Sequence, residues 1–197
     1  MPSPYSLKKD GVTPIPAEPG QKHLEQIHIG SAGIKDLYFL RGLSRLKYIS
    51  LDRNKIEDIE PLKGLLQVED LELGSNDIAD ISALTKMIKL KSLDLEFCNV
   101  MDLGPLAGLS KLTNLNLHAN RIKDISPLSG LIKLNRLNLD GNRIENLSPL
   151  VKNCNAGGLS NGDWISLHRN PLNEKAINKD IPHLRNKGVS VQFSRGD

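Results

Sequence analysis

The chain has 197 residues, 39% of them hydrophobic and only 4% aromatic, with a formal net charge of +3 and two cysteines. So small a charge excess gives no overall argument for nucleic acid or an anionic membrane, and no apolar run approaches the ~20 residues a membrane span requires. The opening MPSPYSLKKDGVTPIPAEPG lacks the apolar stretch of a secretory signal, which leaves a cytoplasmic protein or the mature or trimmed form of an exported one.

Residues 1–22 carry Pro2, Pro4, Pro14, Pro16 and Pro19 without periodicity and read as an extended lead-in, with Leu7, Val12 and Ile15 available to cover the first coil. From Leu24 onward one unit recurs. Leu46, Ile49, Leu51, Asn54, Ile56, Ile59, Leu62 and Leu65 return at steps of 22, as in Leu112, Leu115, Leu117, Asn120, Ile122, Ile125, Leu128 and Leu131. Within a unit, the alternation in Tyr48-Ile49-Ser50-Leu51-Asp52 predicts a short strand with Ile49 and Leu51 inward and the others outward. The Asn that follows is expected to turn inward and bond buried backbone groups of the neighbouring coil, because unpartnered burial is costly. Ala32 and Cys98 interrupt that row. Pro61, Pro105, Pro127 and Pro149 start short turns on the outer side, and Gly64, Gly108 and Gly130 are expected to permit the bend into the next strand.

This LxxLxLxxNxI pattern at fixed period resembles the leucine-rich repeats, and the tails DIEPLKGL and DISPLSGL are most similar to the class found in bacterial internalins and in the regulatory subunit of a serine/threonine protein phosphatase. The resemblance covers residues 24–193. It implies an α/β repeat solenoid: a right-handed superhelix with a concave parallel β-sheet, short turns or helical turns on the convex side, and a C-terminal helix and strand cap. It also implies a bacterial protein-binding module.

After Leu150 the period breaks, since Asn170 follows Asn142 by 28 residues rather than 22. The glycine-rich insertion at about 151–163 is expected to form a flexible loop. The expected organisation is therefore a lead-in at 1–22, seven coils over 23–170 and a cap over 171–197. In the cap, Asn173 is the candidate N-cap, Ile177, Ile181 and Leu184 fall at helical spacing, Gly188 stops the helix, and Val189, Val191 and Phe193 alternate as a closing strand. Cys98 and Cys154 lie on different coils, too far apart to bridge, so two free thiols and a reducing compartment are expected.

Functional chemistry is sought in the outward columns of the strands. Asp52, Asp70, Glu72, Asp94 and Glu96 fall on adjacent coils, about 5 Å apart, and like charges so placed repel. Either they are kept for a basic partner, or Arg53, Lys47 and Lys91 neutralise them in solvent. Phe97 is expected near the middle of the face, with Tyr48 and Trp164 toward its ends; exposed aromatic side chains of this kind are common binding anchors. The alternative for Phe97 is folding over the rim, and for Trp164 packing beneath the insertion. With His118, Arg136, Asp140 and His168 these residues complete the candidate partner-binding surface.

Glu96, His118, Asp140 and His168 form a lateral row, but without a convergent shell no metal is expected, and no other cofactor either. No nucleophile has a base beside it, so no enzyme is expected. Lys86, Lys89, Lys111, Lys123, Lys133 and Lys152 lie off the strands and form a basic edge or back without interleaved aromatic residues; nucleic acid is not expected. The final Arg195-Gly196-Asp197 matches an integrin-recognition tripeptide, which chance readily supplies. The expectation is a monomeric, non-enzymatic module that binds a protein partner, one carrying a basic segment, on its concave face. Its alternatives are an internalin-like adhesion module on the cell surface and a regulatory subunit gripping an enzyme such as a phosphatase.

Overall fold

The computed structural model describes residues 23–194. The proline-rich lead-in with Leu7, Val12 and Ile15, and the terminal Arg195-Gly196-Asp197, lie outside the described residues. The alternating stretch of each coil gives a three-residue strand: β1 (Gln26–His28), β2 (Tyr48–Ser50), β3 (Asp70–Glu72), β4 (Ser92–Asp94), β5 (Asn114–Asn116), β6 (Arg136–Asn138), β7 (Trp164–Ser166) and β8 (Ser190–Gln192). They form one parallel sheet in chain order, so each strand pairs only with its neighbours in sequence. The register follows the repeat, with Tyr48 beside Asp70 and Asp70 beside Ser92. The closing strand β8 joins the same sheet as its eighth member, in register with Trp164, Ile165 and Ser166. One aliphatic core runs the length of the stack, from Ile27 through Leu71 and Leu117 to Val191.

The inward Asn row is the seam between coils. The Asn54 Oδ1 accepts the Ala32 and Ile34 N–H groups of the preceding coil, each at 3.0 Å, while its Nδ2 donates to the Ile29 and Leu51 carbonyls, each at 2.8 Å. Asn76, Asn120, Asn142 and Asn170 repeat the arrangement with one N–H group each. Bonds of this kind from a buried side chain satisfy groups that would otherwise be desolvated without partners. At Cys98 only thiol contacts of 3.6 Å to the Leu73 and Glu96 carbonyls remain. Burial pushes the Cys98 thiol up to about 11, although the N–H groups of Asn76 and Ile78 face its sulfur. Cys98 and Cys154 are both free and buried.

Two features of the coil differ from expectation. Gly64, Gly108 and Gly130 do not adopt left-handed backbone, and the space around them is open, so the bend into the strand needs no glycine there. The left-handed position lies instead just before the Asn column, at Ser31, Arg53, Ser75, Phe97, Ala119, Gly141 and Arg169, with φ between 49° and 65°. The convex 3-10 turns, Glu60–Leu62 and Gly104–Leu106 among them, place Pro61 and Pro105 at their start. Each is led by an Asx turn: Asp36, Asp58, Asp80, Asp102 and Asp124 accept the backbone N–H two residues on at 2.7–2.8 Å, and Asn146 does the same at 2.9 Å ahead of Ser148–Asn155. The Ser82 N–H holds the Asp80 carboxyl below its ordinary range.

The insertion is not the flexible loop expected. Ser148–Asn155 forms helix α1, with Leu150, Asn153 and Cys154 buried. Asn153, fully buried, donates to the Leu128 carbonyl at 3.1 Å and accepts the Leu159 N–H at 2.9 Å. Gly158 crosses so close that a Cβ there would collide with the Asn153 side chain. In the cap, Asn173 Oδ1 accepts the Ala176 N–H at 2.8 Å, as an N-cap does. A π turn, Ala176–Asp180, precedes helix α2, Ile181–Asn186. Its extra residue seats Ala176 in the core beside Ile181 and Leu184 and leaves Ile177 half-buried. The buried Asp180 pairs with Lys175 at 2.9 Å, and Lys175 also donates to Ser148 of α1.

Leu117 is fully buried in a middle coil; Leu117→Ala should therefore cost about 2–5 kcal/mol by denaturant titration, since flanking coils cannot fill the space. Cys98→Asn should act in the opposite sense, raising stability by ~1 kcal/mol as the missing amide bonds are restored; an unchanged or lower midpoint would show that the seam is not limited by this position.

Candidate functional site

The outward face of the sheet carries the variable side chains. On β2 to β4 it is acidic. Arg53 reaches Asp52 only at 3.9 Å, whereas Lys47 pairs with Glu25 at 2.9 Å and Lys91 with Glu69 at 2.6 Å, both outside the strand face. Among the described residues no ion pair neutralises Asp70, Glu72, Asp94 or Glu96. The neutralising lysines expected from sequence are thus engaged elsewhere, because each finds a carboxylate of the neighbouring coil in its own column.

The crowding has visible consequences. Burial, then the nearby charges of Glu69 and Glu72, raise the Asp70 carboxyl above its ordinary value. Burial does the same to Asp94, against the pull of hydrogen bonds from the Glu96 N–H at 2.8 Å and the Asn116 amide at 3.0 Å. The Asn116 amide also donates to Glu96 at 3.0 Å and so bridges the two carboxylates. Asp94 and Glu96 can approach this closely because residue 74 beneath them is glycine, where a Cβ would lie 2.9 Å from the Glu96 side chain. Burial, then a hydrogen bond to Glu72, pushes the Tyr48 hydroxyl up to about 12, and its ring stacks 4.5 Å from that of His28.

Phe97 sits at the left-handed turn that ends its strand, rather than within the strand. It is 55% exposed, and its ring stands edge-on to His118 at 4.7 Å. Trp164 is on β7, half-buried, and lines a concavity with Asp94, Arg136 and Asn138 instead of lying beneath the insertion. His118, Asp140 and His168 share a second hollow with Arg169 and Ser194. Asp140 there accepts the His168 N–H at 2.7 Å, and the His168 ring meets the Ser194 hydroxyl at 3.2 Å. Among the described residues no group of three or more His, Cys, Asp or Glu could hold a metal ion, this lateral row included.

Sequence columns place Asn114, Asn116 and Asn138 on the same face, but spacing alone does not disclose their part in the site. Asn116 and Asn138 accept the N–H two residues on, at 3.2 and 3.1 Å, as Asp94 does. The available signal is an Asp/Asn column through 94, 116 and 138. Off the face, Leu66, Ile88 and Ile132 are exposed in one register, next to a column holding Lys89, Lys111 and Lys133.

A parallel sheet of stacked coils tied by buried Asn side chains, with a variable polar face, defines a leucine-rich repeat solenoid, and a family profile described as Leucine Rich repeats (2 copies) matches residues 110–152. The chain is a leucine-rich repeat protein resembling internalins. Internalin C2 of Listeria monocytogenes is 26% identical with a TM-score of 0.74, over 88% of this chain and 72% of that one. An internalin of the same organism, inlF, gives 22% and 0.63 over 89% of this chain, and a leucine-rich repeat protein of Leptospira interrogans gives 18% and 0.66 over 87%. Those two likenesses are of fold, and the chain spans 57% and 55% of those proteins. No curated protein sequence matches the chain. Among the described residues no helix is long and apolar enough to cross a membrane.

Carbon-detected NMR titration should find Asp94 protonating at higher pH than an ordinary aspartate, and Asn116→Ala should raise it further by removing a donor to the carboxylate. Because the folded-state value is raised, ionisation of Asp94 works against the fold; that penalty is fully present above the folded value and fades as pH falls toward the unfolded one.

Proposed function

We propose that the protein is a non-enzymatic recognition module whose concave face binds a protein partner through a basic segment. The observation that carries this is the set of unpaired carboxylates on β3 and β4, which remain without cations among the described residues while Lys47 and Lys91 are drawn to Glu25 and Glu69. A self-repelling patch of this kind lowers stability slightly and gains a favourable interaction when a cationic surface docks. The half-exposed Phe97 beside it supplies an apolar anchor, preset against His118. Strand-borne side chains on a rigid stack lose little ordering entropy on binding. The module acts as a monomer, to be checked by light scattering, in a reducing, cytoplasmic setting that suits two free buried thiols. The likeness to internalin C2 favours a second reading, an exported adhesion module, which surface labelling of intact native cells separates from the first.

A partner recovered by pull-down with the native chain allows a direct test by surface plasmon resonance at two salt concentrations. Phe97→Ala should mainly speed dissociation, whereas Glu72→Lys with Glu96→Lys should slow association and reduce its salt dependence. Lys111→Glu with Lys133→Glu should leave binding nearly unchanged. Loss of binding in the lysine variants alone would move the site to the basic edge.

A further inference from the structure

A concavity of about 370 Å3 opens on the strand face between β4 and β7, lined by Asp94, Asn114, Asn116, Arg136, Asn138 and Trp164. Asp94 already accepts the Glu96 N–H and the Asn116 amide. Asn116 is engaged at both ends, accepting the His118 N–H and donating to Asp94 and Glu96. Asn138 is committed only through its oxygen, to the Asp140 N–H at 3.1 Å, so among the described residues its two amide hydrogens are free. The exposed Arg136 guanidinium meets no acceptor among the described residues. The open donors of Arg136 and Asn138 beside an indole wall make this end of the pocket a site for a hydrogen-bond acceptor with negative charge, while Asp94 lines the opposite end and Asn114, among the described residues, offers an open amide between them.

We infer that the pocket receives an aspartate or glutamate side chain of an extended partner segment, its carboxylate held by Arg136 and Asn138 and its methylenes laid against Trp164. The inference rests on the concave-face reading above and adds the second half of the partner's chemistry. Charge on the face is unevenly spread along the stack: Asp52, Asp70, Glu72, Asp94 and Glu96 belong to the coils of β2 to β4, with Arg53 among them, whereas Arg136 and Arg169 belong to those of β6 and β7, with Asp140 as their one carboxylate on the face. The segment therefore crosses the strands with basic residues over Glu72 and Glu96 and its acid over Arg136. Two to three strand steps of roughly 4.8 Å, covered by extended chain at ~3.3 Å per residue, put base and acid roughly three to five residues apart.

Phage-displayed random peptides selected on the full chain test this and require no identified partner. Enriched peptides should carry an acid at that spacing from a basic pair and bind Arg136→Glu at least about tenfold more weakly, with affinity returning when the peptide's acid is changed to lysine. Peptides weakened by Glu72→Lys with Glu96→Lys but indifferent to Arg136→Glu would overturn the pocket and leave the concave-face reading standing. Peptides indifferent to both changes would overturn both, and selection that enriches no acid-and-base spacing would also defeat the inference. Circular dichroism of each variant checks that the exposed substitutions leave the fold intact.

Discussion

The buried asparagine amide is the interaction on which the rest depends. Hydrophobic burial between coils is strong but directionless, and it would tolerate slippage of one coil along another. Asn54 and its equivalents remove that freedom, because each ties one or two N–H groups and two carbonyls at fixed positions on adjacent coils. The register of the strands then follows, with one residue of each coil opposite its counterpart. The outward side chains form straight columns for the same reason. What the face can recognise is thus a consequence of how its underside is bonded.

The aliphatic and Asn periodicities make the stack legible without coordinates, since the buried positions of the repeat admit only aliphatic side chains and the turn favours an amide, with Ala32 and Cys98 as the exceptions. The left-handed column is not legible. Ser31, Arg53, Phe97 and Ala119 are not residues that mark positive φ, and the fold imposes it on them through its ladder of bonds, such as the Arg53 N–H to the Gly74 carbonyl at 2.8 Å. The insertion misleads because its glycines suggest mobility, while the residues that pack it, Asn153 and Leu159, look ordinary in sequence. Likewise Ile177 shows helical spacing with Ile181, and only a π turn reveals Ala176 as the seated residue.

The candidate face is legible as columns and not as chemistry. Sequence places five carboxylates together and offers Lys47 and Lys91 as counterions; long side chains choose among several partners, and here each takes the Glu in its own column. The roles of Asn116 and Asn138 depend on which of their two polar ends the backbone occupies, which no spacing reveals. Trp164 poses a similar choice between loop and face, and it lines the concavity on the strand face.

Cys98 gives the stack a directional mechanics. A rod of identical rungs shares tension evenly, but here the rung joining the coils of β3 and β4 consists of thiol contacts at 3.6 Å in place of amide bonds. The same junction has Asp70 and Glu72 on one side and Asp94 and Glu96 on the other, so charge repulsion pushes outward where the cross-link is thinnest. Tension along the solenoid axis passes equally through every joint, so this one, held by its backbone bonds with a weaker side-chain rung, is the joint expected to part first, across the recognition face itself. A basic side chain of a partner laid across the two sides would act there as a splint.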